Sequence, residues 1–517
     1  MKKTITVLTL LLNIIVIYAQ DPNILWQRTI GGSGSDKLWS IIQTNDGGYL
    51  VAGDSDSNIS GEKSENSRGG YDYWVVRLDS NGTIIWQKTL GGSADERLWS
   101  VQQTTDGGFI LGGYSDSDIS GDKSENSQGG SDYWIIKLNS SGNLLWQNTI
   151  GGNANDRVLK IVETDDGGYL VGGDSASNIS GDRTVPRAGF RDIWLVKLDA
   201  SGNILWQRSH GYNNTSITGL SKTNDGGFII SGTLFNVTAT HDAFWVLKIN
   251  GQGFHVWNKI IQGDKADWFP KISPTSDGGY IMAGASDSDA FGDKSENSQG
   301  SFDYWVIKLD ENGNVVWENT IGGSEPEQPD TIIQCADEGY FVSGYSSSNI
   351  SGDKTENAKG SVDYWFLKLN SVGIIEWQNT IGGEGADNRA RALQDIDENY
   401  VIGGHSSSNI SGDKTENSRG EYDFWIVKHA ATLGIEENPF AKSITFYPNP
   451  TKNKLQINTQ DKTIEQVNIY TMGGSKVLQL DVDTVSPIVD VSSLASDVYF
   501  VQLYSGNNVV LKKFVKE

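Results

Sequence analysis

The chain has 517 residues, 37% of them hydrophobic, with 41 Lys and Arg against 65 Asp and Glu, a net charge of −24. That apolar content can bury a large core, and the composition is neither collagen-like nor that of a disordered chain. Acidity on this scale disfavours nucleic acid and anionic membranes as partners, and the single cysteine, Cys335, excludes an intramolecular disulfide.

Met1-Lys2-Lys3, the apolar run from Ile5 to Ile17 and the small Ala19 read as a secretory signal over residues 1–19, cleaved before Gln20. The run is short and broken by Asn13, which argues against a membrane anchor, and no later stretch is long and apolar enough to span a bilayer.

From Trp26 a unit of about 60 residues recurs. Trp-Gln-x-Thr-Ile-Gly-Gly or a close variant begins at Trp26, Trp86, Trp146, Trp206, Trp257, Trp317 and Trp377. Each copy continues with an Asp-Gly-Gly-aromatic segment or a degenerate form, then an Asp-aromatic-Trp segment. In the second unit, strand-like Leu98–Thr104 and Phe109–Gly113 flank an Asp-Gly-Gly turn, a long polar loop follows, and two more strands run through Leu138 and from Leu144 to Ile150. Four short antiparallel strands per unit, seven times, predict an all-β seven-bladed β-propeller over residues 20–429. The array opens with a fourth strand around Trp26 and ends with a third strand around Trp425, so the first segment should complete the last blade and remove both sheet edges. A solenoid of the same units is the alternative.

Repetition argues against reading the repeated residues as a site. Trp74, Trp134, Trp194, Trp245, Trp305, Trp365 and Trp425 recur at one strand position, as packing residues do. The Asp two residues before each is expected to satisfy loop backbone donors. Cys335 ends an apolar segment and reads as a packed thiol.

Strand order puts the long loops between second and third strands on one face, together with the connections between blades; loops on a rigid scaffold carry function. These loops share Ser-Gly-[Asp/Glu]-Lys-[Ser/Thr]-Glu-Asn, as at Ser60–Asn66. Asp54-x-Asp56-x-Asn58 begins like a calcium loop, although no Gly follows Asn58 and a lysine sits inside each full copy, so calcium is the possible ligand of an otherwise cofactor-free protein. Symmetry breaks in blades three to five: blade four lacks the long loop, its entry carries His210, Tyr212 and Asn213, and blade five adds Trp268 and Phe269. A ligand-binding notch is expected there. Trp39 and Trp99, where later blades have Leu159, Thr218 and Pro270, are candidates for stacking on a flat ligand. The five histidines lack metal-ligand spacing, and no nucleophile elbow, P-loop or dinucleotide fingerprint is present.

Residues 430–443 read as a linker. Beyond it come Phe446-Tyr447-Pro448-Asn449-Pro450-Thr451, Leu455–Asn458, Val467-Asn-Ile-Tyr470-x-x-Gly473-Gly474, Val498–Leu503 and a last strand with Lys512 and Lys513. Alternating short strands in so small a segment predict a β-sandwich. The series resembles the type A C-terminal sorting domain of the type IX secretion system of Bacteroidetes, over residues 444–517. Asp497 departs from the family's usual Gly before the aliphatic-Tyr pair. The resemblance implies Sec export, passage across the outer membrane and contact with the type IX machinery, with Tyr447, Pro448, Asn449, Pro450, Gly473, Lys512 and Lys513 in the sorting signal. The expected protein is a monomeric, secreted or surface-held, non-catalytic binding or adhesion propeller for a glycan or protein. A polysaccharide-degrading glycosidase or lyase, and a structural coat protein, are the alternatives.

Overall fold

The computed structural model describes residues 23–212, 214–236, 241–431, 444–459, 462–471, 476–506 and 508–517. The predicted signal segment, Asn213, Gly473 and all but the first two residues of the predicted linker lie outside them. Two compact units result, divided after Ala431.

The first unit contains seven four-stranded antiparallel sheets. Six are sequential hairpins; the seventh has Ile24–Ile30 as its outer strand beside Asp423–His429, Tyr400–Ser406 and Asp387–Gln394. The closure register places Trp26 opposite Lys428 and Thr29 opposite Trp425. Each first strand contacts the first strands of both neighbouring blades, and that of blade seven contacts that of blade one. The ring is therefore closed, and the solenoid alternative fails.

Third strands such as Asp72–Leu78 are buried along their whole length, whereas the outermost strand Ile24–Ile30 is exposed or half-buried over its first five residues and buried only at its last two. Trp74, Trp134, Trp194, Trp305, Trp365 and Trp425 are completely buried. Tyrosines tie blade to blade: Tyr73 and Tyr133 donate to the carbonyls of Trp134 and Trp194 at 3.1 and 3.0 Å. At the tight-turn face, backbone amides donate to glutamines of the next blade, as Asn45 to Gln103 at 2.8 Å and Ile396 back to Gln43 at 2.9 Å. Gly142 has φ +76 and lies under the Trp86 ring, where a side chain would need both a left-handed backbone and space that the indole occupies.

The Asp before each buried Trp caps its loop as expected. Asp192 accepts from the Ala188 amide at 2.7 Å and Asp303 from Gln299 at 2.6 Å. Cys335 is buried beside the Tyr400 hydroxyl, and burial raises its thiol to about 11, so it is a packed side chain rather than a nucleophile.

The second unit has a three-stranded and a four-stranded sheet sharing a core that includes Ile444, Leu455, Val467, Val501 and Phe514. Its opening motif pairs with its end: Asn449 Oδ1 accepts from the Val515 amide, and the Thr451 amide donates to the Val515 carbonyl, both at 2.9 Å. Lys512 donates to the Ile444 carbonyl at 2.6 Å, whereas Tyr447 and Lys513 are exposed.

Candidate functional site

The first strand of each blade bulges, after its third residue in five blades and after its second in blades five and seven, and the residue that resumes the ladder faces the same small partner position in every blade. That resuming residue is Ser40, Ser100, Lys160, Gly219, Lys271, Thr331 and Arg391 from blade one to seven. Four blades place a small residue there; blades three, five and seven place a cation. A cavity of about 570 Å³ opens above them on the elaborated face, and a smaller one of about 200 Å³ continues down the channel. Lys160, Lys271 and Arg391 line both, so they ring the boundary between mouth and channel.

Asp330, the bulged residue of blade six just before Thr331, is buried and lines the smaller cavity together with these three cation-forming residues. Arg389 Nη1 lies 3.2 Å from its Oδ1, and Arg391 Nη1 donates to its backbone carbonyl at 2.6 Å. Burial pushes the Asp330 carboxyl up, but Arg389, Arg391 and Lys271 together outweigh that and hold it below the usual range. Burial acts oppositely on the lysines. Lys160 is pushed down to about 7 by burial and by Arg391, and Lys271 well below the ordinary lysine range by the same causes. Neither lysine has a hydrogen bond or ion pair among the described residues.

Towards the mouth, Arg157 stacks 4.9 Å from the Tyr114 ring, and Arg191 lies 3.7 Å from Asp174. Burial pushes Asp174 up to about 6 against a hydrogen bond from Ser216 at 2.6 Å. Asn155, Asn214, Ser216 and Phe269 complete the wall. Phe269 adopts φ +54 and donates its amide to Thr233 Oγ1 at 2.9 Å, which turns this residue rather than its neighbour to the cavity.

The structure brings some expected residues here and not others. Trp39 and Trp99 pack with ring centroids 4.5 Å apart, both half-buried. Trp99 lines the mouth cavity and its Nε1 is buried with no partner; Trp39 lines the channel beneath and donates to Asp54. Trp268 is turned away, donating to Asp242 at 2.6 Å and stacking on Phe302 at 4.5 Å. His210 contacts the Gly253 carbonyl at 3.1 Å, and Tyr212 lies edge-on to Trp245, both beside the outer strand of blade four rather than in the cavity wall.

The calcium-like triplet does not converge. Asp54 is buried against Arg97 at 2.6 Å, Asp56 accepts from the Ser35 amide at 2.6 Å, and the Asn58 carbonyl accepts from Ser60 at 2.9 Å. Within the loop the lysine provides the positive charge: Lys63 is buried, 2.7 Å from Thr89 Oγ1 and over the Trp74 ring. In blade three Arg183 takes this place and pairs with Asp192 at 2.9 Å. No cluster of three or more His, Cys, Asp or Glu suited to a metal occurs among the described residues.

The regulatory protein FlaEY of Caulobacter vibrioides is 21% identical over 291 residues, half of this chain but 30% of that protein, so the chain spans under a third of this curated relative. Among solved structures, a protein of unknown function from Dyadobacter fermentans is 11% identical with TM-score 0.41, covering 79% of this chain and 99% of that one. The WD40 domain of Neurospora crassa Pan2 is 9% identical with TM-score 0.43, covering 80% and 97%. Residues 445–517 match the family model of the secretion system C-terminal sorting domain, so the chain is a repeat β-propeller carrying such a domain at its C-terminal end.

Proposed function

We propose that the protein is a secreted or surface-held, non-catalytic binding propeller, exported by the type IX machinery through residues 444–517, with its ligand in the cavity on the elaborated face. The observation that carries this reading is the asymmetric cavity itself. A fold built from near-identical blades departs from its symmetry at the channel mouth, with aromatic, amide and cationic side chains converging on one hollow of ligand size. Asp174 is the one carboxylate in its wall, and Asp330 in the channel beneath is held below the usual range by arginines, so the cavity lacks the facing pair of carboxylates that a glycosidase uses.

A lyase is the second reading, favoured by Lys160. An unpaired amine brought to about 7 can accept a proton near neutrality. Screening the purified protein on a glycan array, with and without calcium, and then following each captured glycan for unsaturated products separates the readings. Stable capture supports the binding module; turnover that is lost in Lys160→Met supports the lyase; no captured glycan in either condition defeats both. For export, cells producing the chain without residues 444–517 should hold it inside the outer membrane, and normal surface delivery would refute the sorting role.

A further inference from the structure

The mouth of the channel is chemically unlike the rest of the molecule. In a chain of net charge −24, the cavity and the ring below it gather Arg157, Lys160, Arg191, Lys271, Arg389 and Arg391 against only Asp174 and Asp330. Six cation-forming groups thus face two carboxylates. One carboxylate is already shared by Arg389 and Arg391, and the other lies between Ser216 and Arg191. Lys160 and Lys271 are left without a counter-charge of their own, and the Nε atoms of Arg191 and Arg391 are buried without a partner.

A cluster of like charges, walled by protein, is costly unless something compensates it. Structural need does not account for it. The equivalent positions in other blades are Ser40, Ser100, Gly219 and Thr331, so the ring packs without cations there. Low-dielectric walls also focus the field of these groups into the opening, which makes the cavity attractive to anions despite the acidic exterior.

We infer that the cavity binds the acidic group of a carbohydrate, a carboxylate or a sulfate ester, seated between Lys160, Lys271 and Arg391. The inference rests on the binding reading above and names its ligand class. Sugar is favoured over an acidic peptide because the wall beside the cations offers amides and hydroxyls at Asn155, Asn214 and Ser216, suited to ring hydroxyls. Trp99 adds an indole face and an unpartnered Nε1–H. An arriving anion would favour the protonated form of Lys160, which burial brings to about 7, so binding should take up protons at mildly alkaline pH.

The test uses the purified protein and titration calorimetry at pH 8 in two buffers of different ionisation enthalpy. The probes are oligogalacturonate and its neutral methyl ester, a sulfated galactan oligomer and its desulfated form, and poly-glutamate. Binding of an acidic oligomer at least tenfold tighter than its neutral counterpart, with proton uptake and at least tenfold loss in Lys160→Met/Lys271→Met, is the expected result. The two acidic oligomers distinguish carboxylate from sulfate. Arg391→Gln serves as a second variant if the double variant does not fold. Equal binding of acidic and neutral sugars, unmoved by the variants, overturns the anion site while leaving the binding module standing. Capture of poly-glutamate alone overturns the sugar class. If no probe binds here and the glycan array also captures nothing, the binding reading falls with it.

Discussion

At the residue scale, the repeated polar side chains are connectors, and their value lies in satisfying donors that burial would otherwise strand. Gln87 shows the pattern. Its Oε1 accepts from Trp74 Nε1 at 3.0 Å and from the Ser64 amide at 3.1 Å, while its Nε2 donates to the Glu62 carbonyl. One amide therefore joins the outer strand, the buried Trp and the long loop. Gln87→Leu leaves three partners unpaired and should cost about 1–3 kcal/mol, read as a lower denaturation midpoint with unchanged circular dichroism. The same role explains a variation along the chain. Where blade five has Glu318 instead, it still accepts from Trp305 Nε1 at 2.7 Å and from Ser295 at 3.0 Å. Blade four, which lacks the loop, has Asn258 at this place, bonded instead to His255 at 2.8 Å.

At the scale of elements, the strand Ile24–Ile30 holds the ring shut. It supplies the outer edge of blade seven, and Gln27 binds that blade's loop through Asp413 at 2.7 Å and receives Trp425 Nε1 at 3.1 Å. Trp26 reaches across the seam to the Ser80 carbonyl of blade one at 3.2 Å. Deleting residues 20–30 exposes the edge of Asp423–His429 and removes the bridge between first and last blades. The melting temperature should fall by 10 °C or more, on the order expected for losing several kcal/mol in a single cooperative unit, and concentration-dependent association should appear in light scattering. An unchanged melt would contradict closure by this strand.

At the scale of the whole molecule, the seams between blades collect carboxylates, and this sets the response to pH. Burial pushes Asp72 and Asp423 up to about 7, and Asp132, Asp267 and Asp363 to about 6, with neighbouring carboxylates such as Glu96 and Asp36 adding repulsion. A carboxyl raised in the folded state contributes stability that is complete below its unfolded value and is lost as pH rises through 6 to 7. Asp106, Asp166, Asp225 and Asp277 are held at about 2: burial alone would raise them, but threonine and lysine partners in the tight turns win. Their contribution is present above the unfolded value and lost as pH falls towards 2. The loop lysines Lys63, Lys354 and Lys414, lowered by burial to about 8, add a gain only at higher pH. The melting temperature should therefore peak around pH 5 and decline towards pH 8, as a calorimetric pH series would show. A maximum at or above pH 7 would mean that these seams are not buried as described.

The sequence by itself determined the architecture, because seven copies of one pattern with period-2 strands and glycine turns have few ways to bury their shared faces. The split last blade, the packing role of the repeated Trp and Asp, and the sorting motif were all local in sequence. Only the tertiary structure decided the site. Lys160, Lys271 and Arg391 are 111 and 120 residues apart along the chain, and their meeting depends on ring closure and on a bulge that turns each towards the axis. The signal was present in the aligned first strands, where cations replace small residues, but it is invisible until the blades are superposed. Aromatic symmetry breaking pointed to Trp268, yet the backbone at Phe269 reverses which ring faces the cavity. Net charge is likewise a sum over the whole chain, whereas the residues lining the cavity and channel are mostly basic, a local balance that only the fold assembles.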